Sequence, residues 1–198
     1  MKTNILVLTL GLLLLGATGC AGMSQIAGGI GDIAGIEMPK TEEVELSVGT
    51  VCDKCSQATF NTLNPVASGA EGIKYTKVGI ADVDTFVESA NRLYFTVLMT
   101  EKMVGLGNQL SENPNMQVEG FQKPAEIMDL ARGLFTVASQ DAPNLISSGT
   151  SLVTNVQQFI SPEKALILPT ATEQIQLALE RLQEASGKLT DLAAAFAE

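Results

Sequence analysis

Between Ile175 and Phe196 the apolar positions fall at Ile175, Ala178, Leu182, Ala185, Leu189, Leu192 and Phe196, in alternating steps of three and four. Those steps hold one stripe on one side of a 3.6-residue helix and form a coiled-coil seam. Thr170-x-x-Glu173 ahead of the stripe reads as a capping box, and Glu184 and Lys188 stand one turn apart in the favourable order. The pattern predicts a final helix that either closes an intramolecular bundle or is offered to a partner. Ala178 and Ala185 favour the bundle, because a short isolated coil with alanines in its seam is weak.

Upstream, the same periodicity predicts four more helices. Val83, Phe86, Val87, Ala90, Leu93, Tyr94, Val97 and Leu98 form a wide stripe around a second capping box, Thr85-x-x-Glu88, preceded by Asp82 and Asp84. Leu93 to Met99 is nearly all apolar, which predicts burial on most sides. Gly105 and Gly107 then predict a weakened or kinked end before Asn113-Pro114-Asn115. A helix opening at Pro124 would bury Ile127, Ala131, Leu134 and Ala138, and Asp141-Ala142-Pro143 predicts the start of another with Ile146, Gly149, Val153, Val156 and Ile160 on one face.

At the front, Thr41 followed by Glu42, Glu43 and Glu45 reads as a helix N-cap with acids in the first turn. Val44, Val48, Val51, Cys52, Cys55, Ala58 and Leu63 continue the helical steps as far as Pro65. Val44, Leu46 and Val48 also alternate as in a strand, but helix is the preferred reading. Residues 64–81 are Gly-rich and predict a loop; Ile73, Tyr75, Val78 and Ile80 could form a short strand, although this reading leaves it no partner. The resulting expectation is an all-α domain over 41–198, an antiparallel bundle of about five helices.

Composition narrows the function. The 198 residues suit one domain, and 12 basic against 22 acidic side chains, a net charge of -10, oppose nucleic acid as a partner. There is no histidine, which removes Ser-His-Asp and Cys-His catalysis and His-bearing zinc sites. Trp is absent as well, and charged residues are 17% of the chain.

The N-terminus supplies an address. One cation, Lys2, precedes the apolar run Ile5 to Leu15, and small residues lead into Gly16-Ala17-Thr18-Gly19-Cys20. The run is too short for a bilayer, which needs about 20 residues, and it predicts a signal peptide over 1–19. On Gly19 and Cys20 directly after that run, with Thr18 close to the small residue expected there, the segment resembles the bacterial lipoprotein signal class; Ala17 stands where that class usually has Leu. The resemblance implies that Cys20 becomes the first residue of the mature chain, carrying a diacylglyceryl thioether and palmitate-type acyl chains that anchor it to the membrane. Ala21 in the next position goes, in enterobacterial members, with sorting to the outer membrane, where the domain would face the periplasm. Residues 20–40, with Gly28, Gly29, Gly31 and Gly35 among isoleucines, then read as a flexible tether. Gly31-x-x-x-Gly35 could instead pack helices, but Asp32 sits inside it.

Chemistry is concentrated in Cys52-Asp53-Lys54-Cys55. In an oxidising compartment Cys52 and Cys55 form an even pair, with a structural disulfide as the default, a redox centre as the alternative, and two buried thiols left open. Asp82, Asp84 and Glu88 lack the spacing of a calcium loop and read as capping groups. No motif calls for a metal or cofactor, and no acid and base frame predicts catalysis.

One surface stands out. From Ala142 to Pro162 there is no charged residue, although the stretch is far too polar to span a membrane. Its contact candidates are Asn144, Ser148, Gly149, Ser151, Asn155 and Gln158, since interface centres are depleted of charge and a glycine permits close approach. The competing reading is an ordinary solvated face or a helix central to the bundle. Two functions follow. The first is a non-catalytic interaction, scaffold or assembly-accessory protein that docks on an envelope partner or self-associates through this face or the last helix. The second is a carrier holding a lipid or other apolar ligand between its helices, suggested by Leu93 to Met99 and by Met99 and Met103. A thiol-disulfide role for Cys52 and Cys55 is a distant third.

Overall fold

The computed structural model describes residues 41–46, 73–116, 123–159 and 162–197. The chain divides into Met1–Glu37 and Met38–Glu198, and every described residue belongs to the second unit. The signal peptide, the tether, Cys20, Cys52 and Cys55 lie outside the described residues. Within them the domain is mostly helical: strands β1 (Glu42–Leu46) and β2 (Ile73–Lys77), then helices α1 (Ala81–Glu112), α2 (Pro124–Phe159) and α3 (Leu168–Ala197), with a 3-10 turn over Pro162–Ile167 before α3.

The expected helix start at Thr41 is replaced by a strand, and the expected loop holds its partner. β1 and β2 pair antiparallel with Val44 opposite Tyr75 and Leu46 opposite Ile73. Alternation thus outweighs helical spacing here, because it puts Leu46, Ile73 and Tyr75 on one buried face. The same register sets Glu42 against Lys77 and Glu45 against Lys74, opposite charges across the ladder.

A tight turn joins β2 to α1. Gly79 takes φ 73°, the left-handed conformation that glycine adopts without steric cost. The Asp84 carboxylate accepts from the backbone N–H groups of Val78 (2.7 Å) and Gly79 (2.9 Å), while Asp84 N–H donates to the Ile80 carbonyl at 2.8 Å. Helix α1 therefore begins at Ala81, and Thr85 and Glu88 lie inside it rather than forming a capping box. The helix runs through Gly105 and Gly107 and ends at Glu112, directly before Asn113-Pro114-Asn115 as expected.

Helix α2 replaces two expected helices, with Pro143 in its interior. Ile127, Ala131, Ala138, Ala142, Leu152 and Val156 are all buried, so one stripe keeps its phase across the proline. Pro143 itself is exposed, which leaves room for its ring on the solvent side. In α3 the seam from Ile175 to Leu192 is buried as expected, while Thr170 and Glu173 fall within the helix instead of capping it. The described residues thus hold three helices where about five were expected.

Side-chain contacts fix the directions. Gly107 of α1 lies beside Met128 of α2 and Gly149 of α2 lies beside Phe86 of α1, so these two helices run antiparallel. Gly149 also meets Leu179 and Phe135 meets Phe196, with ring centroids 5.2 Å apart, making α2 and α3 antiparallel too. Lys188 Nζ reaches Glu101 Oε2 at 2.8 Å, and Arg181 donates to the buried Asn91 Oδ1 about two to three turns earlier on both helices, which sets α1 parallel to α3. The result is an up-down-up bundle with the small sheet against α1 and α3.

Both tyrosines of the chain sit in this packing. Burial and the neighbouring Glu88 raise the Tyr75 phenol, and burial with a hydrogen bond to Glu184 pushes Tyr94 up to about 12. With raised values the fold favours the neutral phenols, so their contribution is intact below pH 10 and is lost as pH rises through the folded values. Because the chain has 2 Tyr and no Trp, absorbance at 295 nm reads both directly. Native protein should show tyrosinate formation well above pH 10, with the step returning to about 10 in urea.

Glu88 is held below the usual carboxylate range by its hydrogen bond to Lys77, opposed by partial desolvation and aided by Arg92. The Lys77 and Arg92 bridges are both 3.1 Å. A lowered acid stabilises the fold above its unfolded value, and that stabilisation is lost as pH falls through the folded one. Glu88→Gln should therefore cost up to about 1 kcal/mol at pH 7 in urea unfolding, with the difference vanishing in acid.

Candidate functional site

The surface of α2 is built by a helix that turns one side wholly inward. Ala142, Leu152 and Val156 are buried, and Gly149 is buried between Phe86 of α1 and Leu179 of α3. At 100° per residue the opposite side carries the uncharged side chains. Asn144, Ser148, Ser151 and Gln158 are exposed there and Asn155 is half-buried. Over the 14 residue steps from Asn144 to Gln158 this face is about 21 Å long.

Gly149 leaves the proposed contact set. It lies on the inward stripe, as the spacing with Val156 implies, and its missing side chain admits the two neighbouring helices rather than an outside partner. The other five residues are brought together on one face.

Several polar groups on the exposed side of α2 are occupied by the helix itself. Thr150 Oγ1 donates to the Ile146 carbonyl at 2.9 Å, Ser151 Oγ to Ser147 at 3.1 Å and Thr154 Oγ1 to Thr150 at 3.0 Å. Asn155 Nδ2 donates to the Ser151 carbonyl at 2.9 Å and its Oδ1 accepts from Gln158 Nε2 at 3.3 Å. A hydroxyl bonded back to the preceding turn already has its donor satisfied. Covering Ser151 with another surface therefore strands no hydroxyl donor, which lowers the cost of dehydrating that position.

Beside it, a groove of about 420 Å³ runs between α1 and α2, with Leu93, Ala138 and Leu145 along its floor and Arg92, Asp141 and Asn144 at its rim. Asn144 is common to the groove and the uncharged face. Val137, 57% exposed, lies in the same groove. The hydrophobic pattern gave no signal for it, since Val137 falls off the Ala131–Ala138 stripe and next to an exposed Thr136.

The remaining sequence candidates are resolved differently. Asp84 clamps the β2–α1 turn and Glu88 bridges Lys77 and Arg92, so these acids are engaged in separate structural contacts. Among the described residues no group of three or more His, Cys, Asp and Glu side chains is placed to hold a metal ion. Leu93, Phe95, Val97, Met99 and Met103, the residues that suggested an apolar carrier, are buried in the core of the domain. No helix among the described residues is long and apolar enough to cross a membrane. No protein-family model, curated protein or solved structure matches this chain.

Proposed function

We propose that this protein is an envelope lipoprotein, anchored through acylated Cys20 to the outer membrane and facing the periplasm, whose helical domain is a non-catalytic docking module. Its α2 face, centred on Ser148 and Ser151, seats on another envelope protein or on a second copy and gives the protein a scaffold or assembly-accessory role. The observation that supports this most is the absence of charge from Ala142 to Phe159 in a chain of net charge -10, combined with a Ser151 hydroxyl already bonded within the helix. A face without charge carries no ionic desolvation cost, and small side chains let a partner surface approach closely. The second reading, a carrier of a lipid or other apolar ligand, is favoured by the groove between α1 and α2, which Leu93 and Thr96 of the run from Leu93 to Met99 help to line.

Site-specific photocrosslinking in intact cells tests the docking face. A photoreactive residue at Ser148 or Ser151 should give one discrete adduct, and the same residue at Gln176, on the exposed side of α3, should not. The double variant Ser148→Asp, Ser151→Asp should abolish the adduct from a probe at Asn144 while leaving the thermal midpoint within a few degrees. Equal labelling at Ser148 and Gln176, or an adduct that survives both charges, contradicts the proposal.

A further inference from the structure

The two edges of the small sheet are finished differently. On β2, Thr76 N–H donates to Gln174 Oε1 at 2.9 Å and the Lys74 carbonyl accepts from Arg181 Nη1 at 3.2 Å. Side chains of α3 thus close that edge at both of its outward positions. Because Lys74 and Thr76 direct these groups away from β1, their register partners Glu45 and Glu43 direct theirs away from β2. The outer side of β1 therefore presents the N–H and C=O groups of Glu43 and Glu45, and among the described residues none of these groups has a hydrogen-bond partner. Both residues are exposed. An open strand edge of this kind is a template for a further strand.

Charge selects the occupant. Glu42 and Glu45 have Lys77 and Lys74 opposite them, whereas Glu43 faces Thr76 and has no cation across the ladder. A second copy of β1 docking in antiparallel alignment would set glutamates against glutamates, which is destabilising. An extended segment with Lys or Arg at every second residue would instead place a cation beside Glu43 and beside Glu45 on the outward face of the sheet.

We propose that the outer edge of β1 accepts a basic extended segment of a partner protein as a third strand, recognised by the backbone of Glu43 and Glu45 and by their carboxylates. This site lies apart from the α2 face and does not depend on it.

The test uses the full isotope-labelled chain in detergent and an acetylated peptide of alternating Lys and Val. Binding should slow amide exchange at Glu43 and Glu45, measured by NMR, and should weaken as salt is raised. Glu43→Pro removes one outward N–H and leaves the β1–β2 ladder intact, since proline is tolerated where the N–H faces outward. That variant should bind about fivefold to tenfold more weakly than Glu43→Gln, which removes only the charge. A peptide of equal charge carrying N-methyl groups at alternate residues keeps the test decisive if the proline variant does not fold, and it should fail to bind. Unchanged exchange at Glu43 and Glu45, or equal binding of the N-methylated peptide, would overturn the proposal.

Discussion

The spacing of the three helices depends on the missing side chain at position 149. A Cβ there would lie 2.4 Å from Phe86 Cζ and 2.6 Å from Leu179 Cδ2, so α1 and α3 both reach the backbone of α2 at one level. Alanines extend this close approach, with Ala138 and Ala142 on α2 and Ala171, Ala178 and Ala185 on α3 all buried. Small residues at the contacts bring helix axes toward the short end of the usual 8–10 Å separation. Once Gly149, Leu152 and Val156 point inward, helical geometry leaves Asn144, Ser148, Ser151 and Gln158 pointing outward. The inner constraint and the outer face are thus two sides of one pattern.

A polar link completes the domain. Asn91 is buried, and its amide is satisfied on both sides: Nδ2 donates to the Val87 carbonyl at 2.7 Å and Oδ1 accepts from Arg181. Arg181 also reaches the Lys74 carbonyl, so one guanidinium ties α3 to α1 and to β2. A buried amide left without partners would be costly, which makes this link a determinant of how the sheet sits on the helices. It also helps to close the outer edge of β2.

How much of this was legible in the sequence depended on the range of the interactions. The α3 seam was readable because seven residues repeat one local rule, and the buried run at Leu93 to Met99 was readable for the same reason. The two strands were not, because each has five residues and the signal for either one is the other, 27 positions away. Read separately, Val44 fitted a helix and Ile73 a loop. Pro143 misled in the opposite direction, since a local start signal was overridden by a stripe that runs in phase from Ile127 to Val156. The uncharged face was visible as a run without Asp, Glu, Lys or Arg, and Gly149 was placed correctly by periodicity but wrongly by its association with contact residues. The capping boxes failed because both Thr85 and Thr170 lie beyond the true helix starts, which are set by Asp84 at one and a preceding 3-10 turn at the other.

The most direct test of this account is the stability of a glycine-to-alanine series in urea, with three positions in otherwise similar helical backbone. At Gly133 and Gly187 a Cβ meets nothing within 4 Å, so alanine should stabilise the domain by about 0.5–1 kcal/mol through its better helix propensity. At Gly149 the same methyl must displace a phenylalanine ring and a leucine methyl in a packed interior, and alanine should destabilise by about 1–3 kcal/mol. Opposite signs would support a bundle closed around Gly149. A stabilising Gly149→Ala, matching the other two, would contradict the close approach and with it the orientation of the α2 face.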